Sequence, residues 1–201
     1  VSGKNILVTG GRGYLASNLI KNISHDNNII LFEGDVRHKK KYSDIDLILH
    51  FASPSDRVDF LDVARTSSTI IEGTINILNI ARANNCRFVF ASTLGVCYLD
   101  TDCIYTISKL AMEKYITSMY NNYVILRIPR VYSKCRRKGL IKQLRDGTVP
   151  HTDYDKHIEY ITVDDFVNQT KPILFTHGNK IHNYTITHKQ TIGKINQWIK
   201  T

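Results

Sequence analysis

The sequence contains no apolar run near the roughly 20 residues that a bilayer-spanning helix needs, and a helical membrane protein is excluded on that ground. Its four cysteines, Cys86, Cys97, Cys103 and Cys135, show no C-x-x-C spacing. They read as reduced thiols and not as a disulfide framework. The eight histidines form no H-x-x-x-H pair and none pairs with a cysteine, so no metal is expected. Four prolines and eleven glycines in 201 residues exclude collagen-like and low-complexity chains. Acidic residues are scarce: 18 against 27 Lys and Arg leave a net charge of +9, which suits nucleic acid, an anionic surface or small phosphorylated ligands. The opening run Val1-Ser2-Gly3-Lys4-Asn5 leads into an apolar strand with no signal-peptide core, giving the expectation of a soluble, cytoplasmic globular domain.

What is present is an alternation of short apolar runs with longer helical stretches. Strands are predicted at Asn5–Thr9, Asn28–Phe32, Asp46–Phe51, Arg87–Ser92 and Tyr123–Ile128, and helices at Tyr14–Ile23, Ser67–Asn84 and Ile104–Asn121. The helices follow from apolar positions recurring every three to four residues. Near-continuous apolar strands point to a sheet covered on both faces. Together these predict an α/β fold with a doubly wound parallel sheet. Beyond Ile128 the texture turns basic and turn-rich. A strand-like Glu159–Val163 leads into a helix from Asp164, and the last segment reads as strand then helix. A single domain is expected, carrying a small, reduced C-terminal cap with elements at about 133–160 and 176–201, beside the strand ends where such sheets bind ligands.

The first strand runs into Thr9-Gly10-Gly11-Arg12-Gly13-Tyr14-Leu15-Ala16 and then a helix. Gly10 permits a tight turn, Gly13 lets backbone N–H groups approach a pyrophosphate, and Ala16 is small enough for helix and strand to pack. The helix N-terminus adds partial positive charge. At the end of the second strand, Glu33 suits the 2′-hydroxyl of NAD, while Arg12 and Arg37 suit the 2′-phosphate of NADP. The two readings stay open, with a lean to NAD.

The third helix opens with Tyr105-Thr106-Ile107-Ser108-Lys109. A spacing of four puts phenol and ammonium on one helical face, where the charge is expected to lower the phenol's pKa for proton exchange. The fourth strand ends Phe90-Ala91-Ser92-Thr93. Thr93 is placed either to hydrogen-bond a substrate oxygen or to cap the strand's end.

These stretches, with Gly34-Asp35-Val36-Arg37, His50-Phe51-Ala52-Ser53, Gly73-Thr74, Leu126-Arg127-Ile128-Pro129-Arg130-Val131-Tyr132 and Tyr160-Ile161-Thr162-Val163-Asp164-Asp165, resemble in order the extended short-chain dehydrogenase/reductase family of nucleotide-sugar epimerases, dehydratases and reductases. The resemblance implies a Rossmann-like fold and an NAD(P)-dependent oxidoreductase transferring hydride at a sugar carbon of a nucleotide-sugar substrate. It implies a catalytic triad of Thr93, Tyr105 and Lys109, with Lys109 also reaching cofactor ribose. Gly10, Arg12, Gly13, Tyr14, Leu15 and Glu33 would bind the cofactor. Asp35 and Val36 would flank the adenine, while Phe51, Ala52 and Ser53 would line the cofactor's middle. Ile128 would lie near the nicotinamide, and Thr93 and Arg130 would bind substrate. The second and third helices of such proteins often pair in a homodimer.

Departures from the family pattern carry expectations too. The second strand is fused to Gly34-Asp35-Val36-Arg37, so the family's further edge strand is expected to be missing. Ile70 stands where the family often has Asn, and Ser133 where it has Gly. Dehydratases of this family need an acidic residue just after the catalytic hydroxyl. Here Leu94-Gly95 follows, and neither transfers a proton. Epimerisation and keto-sugar reduction remain. The run Arg136-Arg137-Lys138 reads first as a solvated basic loop and second as a diphosphate contact. The alternative to an enzyme is a degenerate dinucleotide-binding module, a sensor or nucleic-acid binder without turnover; nucleic acid is the less expected partner.

Overall fold

The computed structural model describes residues 3–54, 56, 58–98, 103–176 and 178–201; Val1 and Ser2 of the opening run lie outside them. In chain order the elements are β1 (Asn5–Thr9), α1 (Tyr14–Ile23), β2 (Asn28–Leu31), β3 (Leu47–His50), α2 (Val63–Asn84), β4 (Arg87–Thr93), α3 (Ile104–Met119), β5 (Tyr123–Ile128), β6 (Val131–Tyr132), α4 (Gly139–Arg145), β7 (His157–Thr162), α5 (Val163–Leu174), β8 (Lys180–Asn183), β9 (His188–Thr191) and α6 (Ile192–Lys200). Six strands form a parallel sheet in the order β2-β1-β3-β4-β5-β8. This is the expected doubly wound, Rossmann-like α/β architecture.

Side-chain alternation along the strands builds two cores. Ile6 and Val8 of β1 join Leu19 of α1 and Phe166 of α5 on one face. Leu7 joins Ile77 and Leu78 of α2 and Met112 and Ile116 of α3 on the other. With both faces covered, no polar side needs to alternate with the apolar one, and the strands read as unbroken apolar runs. From β1 the chain turns to β2 on one side and later to β3 on the other. Sheets that reverse in this way open a crevice at the carboxyl ends of the two diverging strands.

The remaining elements make a smaller body. β6 pairs with β7 in parallel and β7 with β9 antiparallel. α4 and α6 close a separate apolar cluster around Tyr132, Ile141, Leu144, Tyr160 and Ile195.

Three expectations need adjusting. β8, assigned by sequence to the cap region, instead pairs with β5 and completes the main sheet. β9 (His188–Thr191) was not anticipated, because His-Lys-Gln-Thr has no apolar alternation. α2 begins four residues before the predicted start, at Val63, where the Asp62 carboxylate accepts the Arg65 N–H, an N-cap hidden in a Ser/Thr-rich stretch. β2 is the sheet's last strand on its side among the described residues, in keeping with the fused segment.

Candidate active site

The crevice is built first by the glycine turn. Gly10 has φ +66°, and a Cβ there would lie 2.7 Å from the Ala52 nitrogen and 2.8 Å from the Phe51 carbonyl carbon. The turn after β1 therefore rests directly on the backbone leaving β3. A Cβ on Gly13 would lie 2.9 Å from the Gly10 carbonyl oxygen, which accepts the Gly13 N–H at 2.8 Å. Gly13 is the N-cap of α1 and offers no side chain to its first-turn N–H groups, and that turn holds no acidic residue. Ala16 is buried beneath it, whereas Arg12 is exposed.

A buried polar chain fixes the second wall. The Ala52 N–H donates to Thr9 Oγ1 at 3.1 Å. Thr9 Oγ1 meets His50 Nδ1 at 2.7 Å, and His50 Nε2 meets Thr74 Oγ1 at 3.1 Å. Burial, helped by the Lys109 charge, holds the His50 imidazole down at about 3. In an unfolded chain it takes a proton near 6.5. Between these values the folded state binds fewer protons, so stability falls as pH drops through the unfolded value, by about 1.4 kcal/mol per unit. His182 is lowered by burial in the same sense, so the readout is the difference made by a variant. Urea denaturation from about pH 6.5 to 4.5 is expected to show this slope in the wild type, reduced by about 1.4 kcal/mol per unit in His50→Gln. Equal slopes would assign the acid sensitivity to other groups.

The predicted acid–base residues converge on these walls. The Tyr105 phenol lies near the Ser53 side chain, which acts to lower its pKa, next to the Ala52 backbone that touches Gly10. Its ring stacks on Phe60 at 4.6 Å between centroids. Lys109 is 1% exposed. Its Nζ donates to the Ala91 carbonyl at 2.7 Å and lies 4.6 Å from the centroid of the Phe90 ring and 5.7 Å from that of Tyr105. Burial pulls Lys109 down to about 7. Burial also pushes the Tyr105 phenol up, to about 12, the opposite of the expected lowering. Spacing gave the closeness of the two groups correctly, but desolvation outweighs an ammonium that is itself partly deprotonated and committed to a carbonyl. Thr93 Oγ1 accepts the Gly95 N–H at 3.2 Å, so the anticipated cap exists. A hydroxyl that accepts there still has its own hydrogen to donate.

Other anticipated residues are placed as follows. Val36 is buried in the slot left by Gly73, where a Cβ would meet Val36 Cγ2 at 2.6 Å. The Asp35 carboxylate accepts the Arg37 backbone N–H at 2.9 Å and its Nη2 at 2.6 Å. These bonds hold Asp35 at about 2. Arg37 is thus tied to a carboxylate of its own loop. Glu33 is exposed after β2, and Arg130 is exposed after β5. Ile128 is buried and paired with Thr93 across β5 and β4. Phe51 packs edge-on against Phe166. Leu15 packs against the core of the α1 face. Arg137 and Lys138 are exposed, as a solvated loop requires, but Arg136 is not part of it. Its guanidinium carbon lies 4.9 Å from the centroid of the Tyr14 ring, and its Nη1 donates to the Val131 carbonyl at 2.6 Å.

Sequence reading passed over Phe60 and Glu113, and it gave His50 and Arg127 no role beyond their places in the family-like stretches. Phe60 left no signal, because its contact depends on the path of a loop. Glu113 did: it follows Lys109 by one more step of four and so shares its helical face.

Residues 6–174 match a family model described as the NAD dependent epimerase/dehydratase family. A protein of Methanocaldococcus jannaschii, provisionally named a UDP-glucose 4-epimerase, is 23% identical over 223 aligned positions, covering 89% of this chain and 68% of its own length. The UDP-glucose 4-epimerase of Thermotoga maritima, solved with UDP-glucose, is similar with a TM-score of 0.79 at 20% identity, over 98% of this chain and 81% of that one. The dTDP-4-dehydrorhamnose reductase of Bacillus anthracis, solved with NADP, gives 0.77 at 17% identity, over 99% and 80%. At these identities the structural likeness establishes the fold.

Proposed function

Because the chain belongs to the NAD dependent epimerase/dehydratase family, we propose that it is an NAD-dependent oxidoreductase of a nucleotide sugar, working as an epimerase or a keto-sugar reductase. One observation carries the reading: the Tyr105 hydroxyl lies near Ser53, the chain neighbour of the Ala52 backbone that seats the Gly10 turn. An acid–base hydroxyl and a phosphate cradle thus share one crevice.

The residues fit a dinucleotide. Gly10 and Gly13 keep open a backbone-lined cradle that a Cβ would fill, at the uncapped N-terminus of α1, as a diphosphate requires. Glu33 is the ribose contact, and the commitment of Arg37 to Asp35 supports NAD over NADP. For the substrate's diphosphate Arg130 is the first contact and Arg136, held against Tyr14, the second. When bound, the nicotinamide accepts or donates a hydride at the sugar carbon.

The chain's own residues handle the proton. Tyr105, protonated at neutral pH, gives its proton to a sugar oxygen as that oxygen gains charge, and takes it back in the reverse direction. The Thr93 hydroxyl donates a hydrogen bond to the same oxygen, and Lys109 holds positive charge behind the phenol. Leu94 and Gly95 offer no group for eliminating water. Val63 of α2, with Ile107 and Met119 of α3, is apolar and exposed, and these helices are the proposed homodimer face.

Titration with NAD+ and with NADH tests the reading, followed by incubation of the NAD+-loaded protein with UDP-, ADP- and dTDP-sugars and of the NADH-loaded protein with their 4-keto forms. Conversion of a sugar by the NAD+-loaded protein with no net change in the cofactor identifies an epimerase, and stoichiometric consumption of NADH with a keto sugar a reductase. Failure to bind a dinucleotide would overturn the proposal. Dinucleotide binding with no conversion, or steeply salt-dependent nucleic-acid binding, would move the chain to the binding-module reading.

A further inference from the structure

The C-terminal end of β4 is held by more than its ladder. Ser92 Oγ donates to Glu113 Oε1 at 2.5 Å, and both residues are buried. Arg127 of β5 grips the same carboxylate, its Nε 3.2 Å from Oε1 and 3.1 Å from Oε2 and its Nη2 2.7 Å from Oε2. Arg127 Nη1 also reaches Cys97 Sγ at 3.5 Å. On α3, Glu113 stands one turn beyond Lys109 and two beyond Tyr105. The Lys109 and Glu113 contacts therefore fall on successive residues of β4, the Ala91 carbonyl and the Ser92 hydroxyl.

We propose that Glu113 is a positioning residue, which pins the Thr93 end of β4 to the Tyr105–Lys109 face of α3 and sets a negative charge one turn along that face from Lys109. The surroundings of Lys109 make the second role necessary. From β3 it faces His50, which is neutral; from β4 the Phe90 ring and the Ala91 carbonyl; from its own helix Tyr105, also neutral. Glu113 is the group that pushes Lys109 back up against the cost of burial. Arg127 stands behind Glu113, fixing the carboxylate by two edges while drawing part of its charge away.

The inference rests on the functional reading for what Lys109 does, but its test needs no turnover. Protein labelled with carbon-13 at the lysine ε-carbon, with the Lys109 signal assigned from Lys109→Arg, is titrated from about pH 5 to 10.5. The wild-type midpoint is expected near 7. Glu113→Gln, which keeps the shape and removes the charge, is expected to move it down by about one unit or more. Arg127→Met, which leaves the carboxylate to Lys109, is expected to move it up. A merely structural pair would not give shifts of opposite sign. Midpoints that stay put in both folded variants, or a wild-type midpoint at the ordinary lysine value, would overturn the inference. If Glu113→Gln does not fold, Arg127→Met alone decides by the sign of its shift. Shifted midpoints in a protein that turns over no sugar nucleotide would remove the functional reading alone. Unshifted midpoints in an active protein would remove this inference alone.

Discussion

Tyr105→Phe is expected to lower kcat by about a thousandfold, in line with the loss of a positioned proton donor, while NADH affinity changes by no more than about twofold. The ring stays, and with it the stacking on Phe60; only the hydroxyl near Ser53 is lost. One hydrogen bond is worth about 1 kcal/mol to the fold, so the variant remains folded. Burial keeps the phenol protonated up to about 12. At neutral pH it therefore serves the reductive step as an acid, and the variant has nothing in its place. The effect is read in kcat, with KM for the sugar nucleotide little changed, because the proton moves only as the transition state forms. A variant retaining a tenth or more of the wild-type rate would take Tyr105 out of the proton path.

The second large effect belongs to Gly10→Ala, expected to weaken dinucleotide binding by about a hundredfold and to cost about 1–3 kcal/mol of stability. Two independent penalties meet here. The backbone is left-handed, and the new methyl points at the Ala52 nitrogen and the Phe51 carbonyl carbon, both main-chain atoms that no rotamer change can move aside. Relief requires prising the β1 turn away from the β3 loop, and the cradle opens with it. Gly139→Ala is the control. Its φ is also positive, at +61°, but a Cβ there meets nothing within 4 Å. It should lose about 1–2 kcal/mol from backbone strain alone and bind NADH as the wild type does. Equal losses of affinity in both variants would show that strain, and not the contact with β3, governs the cradle.

How much of this was legible depended on whether a feature is local. β1, β3, β4 and β5 announce themselves because a strand buried on both faces carries a short unbroken apolar run through its middle. The glycine turn is legible because its residue types answer a backbone demand. The Tyr105–Lys109 pair could be placed on one face from spacing alone. Burial could not, and so the sign of the phenol's shift came out reversed. β9 escaped because its residues are polar and its pairing with β7 is purely tertiary. The polar chain from Ala52 through Thr9 and His50 to Thr74 joins residues far apart in sequence, and no single stretch reveals it. Arg136 was hidden among two solvated neighbours of the same charge, and only the fold of the segment after β6 distinguishes it from them.

The end of β4 has a consequence for how this gene can vary. Ala91, Ser92 and Thr93 each hand a different atom to a different partner: a carbonyl to Lys109, a hydroxyl to Glu113 and a hydroxyl oxygen to the Gly95 amide. Inserting or deleting one codon upstream within the strand would turn the Ser92 and Thr93 side chains to the opposite faces of the sheet and put a different carbonyl at Lys109. Point changes such as Ser for Thr at position 93 leave that frame intact. Substitutions should thus accumulate here while insertions and deletions do not, and length variation should collect instead in the segments joining the strands.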